Sequence, residues 1–211
     1  MGRLTFELYH SSCPLTSENF LCLCTGEKGV SAISGKRLHY KGSPIHKVFP
    51  GYILQGGDFT RGDGRGGESI FGEGGLKDED FTVHTHSGPG VIAMANVEGV
   101  PNSSTSQFFV SLSQDPLPHL DGKYVVFGRL RSGWEILQLL SHYGTELDGI
   151  PKSTITISDC GVIERTSVQP RQSAPLHQGV QDFLKEKLAQ LDANPQAFVM
   201  DISQANEDTR E

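Results

Sequence analysis

The sequence predicts a mainly β protein, a closed antiparallel β-barrel capped by two helices. Three observations carry this prediction: apolar residues alternate with polar ones in short runs, turn-forming residues separate those runs, and two stretches before the C-terminal tail show helical spacing. With 25 glycines and 11 prolines in 211 residues, the composition favours turns and short strands over long helices. Many short strands with two helices suit a barrel whose ends are covered by the helices.

A strand and a helix are expected at the start of the chain. Leu4, Phe6 and Leu8 alternate with polar residues, which is typical of a strand with one buried face. Pro14 stands where proline is favoured in the first turn of a helix, and Gly26 follows the expected end of that helix. A loop rich in glycine, serine and lysine comes next.

Short strands and turns are expected through the middle of the chain. Two strands flank a Pro-Gly turn within residues 46–55, and a glycine-dense loop then runs to Gly75. The later elements are strands over 91–95, 107–112, 124–130 and 154–158, and a second helix over 133–143. Together they complete the predicted barrel and its second capping helix.

The composition changes at Arg165, which ends a predicted barrel domain over residues 1–164. Proline and polar residues make 165–177 a linker. Residues 178–193 carry an apolar stripe at helical spacing and are expected to form an amphipathic helix, which either binds a protein partner or folds back on the barrel. Residues 194–211 are expected to form a flexible tail.

Charge and hydropathy argue against some classes of partner. A net charge of −7 gives no indication of a surface that binds nucleic acid. No apolar run approaches the length of a membrane span. The first residues lack the apolar block of a signal peptide, so a cytoplasmic location with nuclear access is expected.

No metal or cofactor site is expected. Cys22 and Cys24 are two residues apart on a predicted helix, and no second pair of ligands follows them. His84 and His86 alternate on an extended segment, but no third ligand is evident, so an exposed edge is expected there. Residues 62–67 resemble a phosphate-binding loop, yet they lack the Lys-Ser pair and the helix start that such a loop requires.

A series of motifs from Gly2 to Glu164 resembles one family throughout. In chain order the motifs are GRLTFELY, ENFLCLCTGEKG, HYKGSPIHKVFPGYILQGGDFT, GGESIFGE, DEDF, GPGVIAMAN, SQFFVSL, LDGKYVVFG and ITISDCGVIE. By these motifs the sequence is similar to the cyclophilins, which catalyse cis/trans isomerisation of the bond before proline. The resemblance implies a cyclophilin-like barrel, and the segment SAISGKRLH is similar to an insertion in a subfamily with a longer loop.

The same resemblance implies a set of site residues. It assigns catalytic roles to Lys47, Gln55 and Asn96. It implies a substrate-binding groove made of Tyr52, Ile53, Ala95, Gln107, Phe109, His119, Leu120 and Tyr124. Taken singly, Ile53, Phe109 and Leu120 fit a barrel core equally well. The whole set in family order favours a groove that grips proline.

Two departures from the family's pattern bear on activity. Lys47 stands where the family has arginine, and lysine lacks the planar fork of donors that a guanidinium offers. His119 stands where the family has tryptophan, so cyclosporin-like macrocycles are expected to bind weakly at best. The resemblance therefore implies a peptidyl-prolyl cis–trans isomerase that acts on X-Pro bonds of proteins and assists their folding, with reduced activity. The alternative is a non-catalytic module or scaffold that binds proline-containing peptides.

A third departure concerns the barrel itself. In the family a strand precedes the position of Gly2 and pairs with the strand that here holds Ile155 and Ile157. We therefore expect a barrel that lacks this strand and has unpaired backbone groups, unless the tail occupies the gap. In some members, cysteines that match Cys24 and Cys160 are suspected of redox pairing, and the same pairing is a hypothesis here.

Overall fold

A computed structural model describes residues 1–163 and 197–204 of the chain. Its helices and strands are β1 (Gly2–Leu8), α1 (Pro14–Thr25), β2 (Ile45–Phe49), β3 (Ile53–Gly56), β4 (Val91–Met94), β5 (Phe108–Ser111), a 3₁₀ turn (Pro118–Leu120), β6 (Val126–Ser132), α2 (Trp134–His142), β7 (Ile155–Ile163) and β8 (Ala197–Gln204). The predicted linker over 165–177 and the predicted helix over 178–193 lie outside the described residues.

The strands form one antiparallel sheet in the order β2-β3-β5-β4-β6-β1-β8-β7. The segment just before β2 meets β7, where the Gly42 amide donates to the Ile157 carbonyl at 2.7 Å and the Ile157 amide donates to the Ser43 carbonyl at 2.9 Å. A bridge between Pro44 and Thr156 lies beside these bonds. The result is a nearly closed eight-stranded barrel with two helices, which confirms the predicted fold class.

Alternation along the strands divides the apolar side chains between the inside and the outside of the barrel. On β1, Leu4, Phe6 and Leu8 are all buried in the inner cluster, as predicted. On β5 the neighbours Phe108 and Phe109 belong to different clusters, Phe108 to the inner one and Phe109 to the outer one. The outer cluster is therefore a second apolar surface on the same sheet.

Aromatic rings fill the inside of the barrel. The ring of Phe20, from α1, has its centroid 5.4 Å from that of Phe108 and 5.1 Å from that of Phe127. Tyr40 packs 5.2 Å from Phe20 and donates its hydroxyl to the Ser106 carbonyl at 2.6 Å. The one polar group of this ring cluster is thus satisfied, as burial requires.

The first helix is held at both ends. At its start, the Glu79 carboxylate accepts the amides of Leu15 and Thr16 at 2.9 and 2.8 Å, which satisfies two donors that no helical carbonyl reaches. At its end, Gly26 adopts φ 69°, a left-handed conformation that favours glycine. The second helix lies within the predicted stretch 133–143. In the part of the chain that the structure describes, no helix is long and apolar enough to cross a membrane.

The last strand lies between β1 and β7 and pairs with both. Its Ile202 is opposite Gly2 of β1 and Ile157 of β7, and its Met200 is opposite Leu4 and Cys160. Met200 and Ile202 are each 2 % exposed and belong to the inner cluster. Two residues apart on a strand, they point to the same face, into the barrel.

This strand corrects two expectations. The flexible tail expected over 194–211 is wrong for Ala197–Gln204, which is a β-strand. The open barrel is also wrong, because β8 pairs with the two strand edges that were expected to stay unpaired. Part of the C-terminal tail therefore occupies the gap that the missing strand would have left. The physical reason is that paired edges satisfy backbone groups that would otherwise need water.

All four cysteines are free thiols. Burial, followed by a hydrogen bond with Cys160, raises the pKa of Cys24 well above its ordinary value. The raised pKa favours the protonated thiol of Cys24, which is its less reactive form. Redox pairing of Cys24 with Cys160 stays a prediction.

Candidate functional site

A cation, an amide and an aromatic ring form one row across three strands of the sheet. Lys47 on β2 lies opposite Gln55 on β3, Gln55 lies opposite Phe109 on β5, and Phe109 lies opposite Ala93 on β4. Directly opposed residues of antiparallel strands project from the same face. Because Phe109 belongs to the outer cluster, the whole row is on the outside of the barrel.

An apolar cluster lies beside this row, at the place where the family resemblance implies a slot for proline. Its buried part consists of Val91, Ala93, Phe109, Leu117, Leu120 and Val126. Its half-buried part includes Tyr52, Ile53, Ala95 and Tyr124. The rings of Phe109 and Tyr124 meet edge to face, with centroids 5.2 Å apart at 88°. A slot with an aromatic floor and aliphatic walls can hold a small apolar ring.

Tyr52 and His119 stand together at the rim of the slot. Their rings stack with centroids 5.8 Å apart at 17°, and the Tyr52 hydroxyl lies 3.0 Å from His119 Nε2. Burial raises the pKa of Tyr52, so its hydroxyl stays protonated. His119 is exposed and is placed by the 3₁₀ turn that also carries Leu120.

A chain of amides fixes the orientation of Gln55. Gln107 donates from Nε2 to the Gly64 carbonyl at 2.9 Å and to the Gly66 carbonyl at 2.7 Å. Its Oε1 then accepts from Gln55 Nε2 at 2.8 Å. Since both amide hydrogens of Gln107 are used by backbone oxygens, its own oxygen must face Gln55. The Gln55 amide is thereby held before any ligand arrives.

The glycine-dense loop wraps around a buried carboxylate. Asp58, which is 0 % exposed, accepts the amides of Arg61, Gly64 and Gly66 at 2.9 to 3.0 Å and the Thr60 hydroxyl at 3.1 Å. Burial alone would raise the pKa of Asp58, but these hydrogen bonds outweigh it and lower that pKa to about 2. The loop thus cradles an anion of its own chain, which explains its likeness to a phosphate loop.

Asn96 comes just after β4, at the end of the row that is farthest from Lys47. Its Nδ2 donates to the Lys123 carbonyl at 2.8 Å. The preceding residue, Ala95, donates its amide to the Gln107 carbonyl at 2.9 Å. A recess of about 350 Å³ is lined in part by Gln55, Ala95, Asn96 and Gln107. Gln55 and Asn96 of the implied catalytic set and Ala95 and Gln107 of the implied groove therefore border one cavity.

The structure brings the predicted site residues together on this outer face. Lys47, which is exposed, marks one edge, and Asn96 borders the recess at the other. The apolar members surround Phe109 as one cluster, separate from the barrel core. Ile53, Phe109 and Leu120 thus lie outside the inner core that each would fit singly.

His86 is a residue that sequence reasoning missed. The exposed edge expected there is wrong, because His86 is 1 % exposed and stacks on Phe109 with centroids 5.6 Å apart at 9°. Its Nδ1 lies 2.8 Å from the Asp121 carboxylate. Burial lowers the pKa of His86, with Asp121 opposing, so a neutral ring supports the slot from below. The one signal in the sequence was the position of His86 between two polar residues, Thr85 and Ser87, on an extended segment.

Among residues 1–163 and 197–204, no group of three or more His, Cys, Asp and Glu side chains is placed to hold a metal ion.

Comparison with known proteins places this arrangement in a family. The family model for cyclophilin-type peptidyl-prolyl cis-trans isomerases matches residues 1–162. A crystal structure of such an isomerase from Cryptosporidium parvum, obtained in the presence of the dipeptide Ala-Pro, matches with a TM-score of 0.63 at 36% identity. The match covers 75% of this chain and 96% of that one.

Curated relatives agree with the structural match but are longer proteins. The human NK-tumor recognition protein is 41% identical over 181 residues, which is 84% of this chain and 12% of that protein. A peptidyl-prolyl cis-trans isomerase of Rhizopus delemar is 45% identical over 161 residues, which is 76% of this chain and 46% of that protein. The chain thus spans less than half the length of these relatives. With the family model matched over most of its length, this chain belongs to the cyclophilin-type peptidyl-prolyl cis-trans isomerase family.

Proposed function

We propose that the chain is a peptidyl-prolyl cis–trans isomerase of reduced activity, acting on X-Pro bonds of proteins. The observation that carries this proposal is the row formed by Lys47, Gln55 and Phe109 beside the outer apolar slot. It combines a cation, an oriented amide and a floor for a proline ring on one exposed face. The dipeptide Ala-Pro in the related C. parvum structure supports proline-containing peptides as the ligand class.

The reaction needs no nucleophile, metal or proton shuttle. The prolyl bond resists rotation because the nitrogen lone pair is delocalised into the carbonyl, with a barrier of about 18–20 kcal/mol. Uncatalysed, the step takes about 10–100 s. In the twisted transition state the lone pair returns to the nitrogen. A donor aimed at that nitrogen therefore binds the transition state more strongly than either planar ground state.

Each part of the site has a role in this scheme. The slot over Phe109 and Leu120 holds the proline ring, while Gln55 and Asn96 hold the peptide backbone next to it. With the ring and the backbone held, rotation is confined to the one bond between them. Lys47 supplies the donor, because it is the cation that lies directly opposite Gln55 in the sheet.

Lysine in this position is the reason we infer reduced activity. An ammonium group is a strongly hydrated point charge, whereas a guanidinium can contact Gln55 and the substrate at once. Lys47 is exposed, so water competes for its charge. We expect a loss of one to two orders of magnitude in rate relative to arginine, or about 1.4 to 2.8 kcal/mol of transition-state stabilisation.

Exchange NMR on a short X-Pro peptide tests this proposal. Wild type should accelerate cis/trans exchange, Lys47→Arg should raise the rate by about 10- to 100-fold, and Lys47→Ala should lower it. Lys41→Arg is the matched control, because Lys41 is an exposed lysine that pairs with Asp159 at 2.9 Å, away from the groove. Its rate should equal that of wild type.

Two outcomes would contradict the scheme. If Lys47→Ala isomerises the peptide as fast as wild type, the cation takes no part in the reaction. If peptide resonances shift on binding but exchange is not accelerated in wild type or Lys47→Arg, the chain is a non-catalytic module that binds proline peptides. The presence of lysine is the specific observation that favours this second function.

A further inference from the structure

The slot between β1 and β7 holds the last strand by contacts that resemble those of a bound peptide. We propose that this slot is a peptide-binding site whose ligand is residues 197–204 of the same chain, and that this ligand can leave and be replaced. The ligand class is an extended peptide with alternate apolar residues and one carboxylate. The proposal does not rest on the isomerase activity, because β8 is separated from β5 by β1, β6 and β4, and its contacts are with β1 and β7.

Backbone pairing holds the strand on both sides. Glu7 to Gly2 on β1 pair in register with Ala197 to Ile202 on β8. On the other side, β8 pairs with β7 along its whole length, from Ile163 opposite Ala197 to Ile155 opposite Gln204. Strand addition between two open edges satisfies every second backbone group of the ligand on each side.

Two side chains anchor the strand in the barrel. Met200 and Ile202 are each 2 % exposed and belong to the inner cluster. Burying an apolar side chain of this kind stabilises the bound strand relative to leaving that side chain in water. Leaving the slot would therefore open the barrel core at two neighbouring positions.

A charged contact selects the register. Arg3 on β1 donates from Nε and Nη2 to the two Asp201 oxygens at 2.7 and 3.1 Å. The Ser158 hydroxyl on β7 donates to the Asp201 carbonyl at 3.1 Å. Asp159, which lies opposite Asp201, is paired with Lys41 at 2.9 Å, so it does not repel the ligand strongly. A slip of one residue would move Asp201 into the core and Met200 out of it.

The chain position of the strand makes separation possible. Residues 164–196 stand in sequence between β7 and β8, although Ile163 and Ala197 are opposite each other in the sheet. The strand is therefore not tied to either neighbour by a tight turn, as a hairpin strand would be. A strand joined through a long segment behaves as a ligand present at a high local concentration.

The test starts from the full chain and uses a single proteolytic cut to separate β8 from the rest of the barrel. A recognition sequence for a specific protease is inserted after Gln178, and the purified protein is cleaved and followed by native mass spectrometry. We expect the two pieces to stay together. We then expect an isotopically labelled peptide of residues 196–205, added in excess, to replace the C-terminal piece over time.

Variants of the labelled peptide test which side chains the site recognises, and they leave the barrel unaltered in the first two comparisons. Ile202→Ala in the labelled peptide should weaken competition at least about thirtyfold. Asp201→Arg should weaken it by about two- to fivefold, as expected for an exposed ion pair. A barrel that carries Arg3→Asp should reverse that preference and bind the Asp201→Arg peptide better than the unaltered one.

Three results would overturn the proposal. The slot has no affinity of its own if the pieces separate on cleavage while the uncut protein stays folded. The strand is a permanent part of the barrel if the pieces stay together and no labelled peptide enters even after days. The ligand is a second copy if the uncut protein proves to be a dimer that becomes monomeric when β8 is exchanged.

Discussion

Replacing Asp58 by asparagine should destabilise the fold and disorder the amide chain of the site. The carboxylate accepts three backbone amides and one hydroxyl with no exposed surface. Asparagine can accept with only one oxygen, and its amide group would face N–H donors. The Gly64 and Gly66 carbonyls that hold Gln107 lie on the same loop. Disorder of this loop would therefore free Gln107, and Gln55 would lose the acceptor that orients its amide.

The size of the effect follows from the titration of the carboxyl group. The hydrogen bonds lower the pKa of Asp58 from 3.8 to about 2, which corresponds to about 2.5 kcal/mol of folding free energy. Because the folded pKa lies below the unfolded one, this stability is fully present above about pH 4 and is lost as the pH falls toward 2. Asp58→Asn should therefore lower the free energy of unfolding by about 2–3 kcal/mol at pH 7.

Urea unfolding of wild type and variant at pH 7 and pH 3 measures this directly. The difference between the two proteins should be smaller at pH 3, where wild type begins to lose the same contribution. Asp63→Asn is the control, since Asp63 is on the same loop but is exposed, and it should change stability far less. Equal stability of Asp58→Asn and wild type at pH 7, or a gap that does not change with pH, would refute the reasoning.

Three further predictions concern single side chains. Gln107→Ala should weaken binding of an X-Pro peptide by about tenfold in an NMR titration, because Gln55 loses the acceptor that orients it; unchanged affinity would contradict this. His119→Trp should tighten binding of a cyclosporin-like macrocycle, measured by calorimetry, since an indole offers more apolar surface than an imidazole; no gain would count against the groove. Burial lowers the pKa of His46 below its ordinary value, so the folded state favours the neutral ring and stability should fall as the pH drops from 7 to 5. Urea midpoints of His46→Phe should vary less over that range, and an equal slope would remove His46 as the cause.

Short-range patterns were enough to predict most of the barrel. The alternation of Leu4, Phe6 and Leu8 marks β1, because one face of that strand packs on the core and the other does not. The second helix was placed to within a residue at each end, since its apolar spacing and the glycine before it are local features. The family resemblance carried by the motifs then implied a set of groove residues, whose apolar members the structure places together in the outer cluster.

What could not be predicted depends on partners far away in sequence. The burial of His86 follows from the Phe109 ring and the Asp121 carboxylate, neither of which lies near it along the chain. The strand Ala197–Gln204 is flanked by polar residues, and its register is set by β1 and β7 rather than by a turn of its own. Local composition favoured a flexible tail because it carries no information about an open edge elsewhere.

The position of β8 in the sheet has a consequence for the order of folding. Gly2 pairs with Ile202, so the pairing of β1 with β8 joins residues that are 200 positions apart in the sequence. Pairings of such high sequence separation form late and slowly. During synthesis, β1 and β7 must wait with open edges until the last strand leaves the ribosome, and this interval is when the chain is most exposed to aggregation.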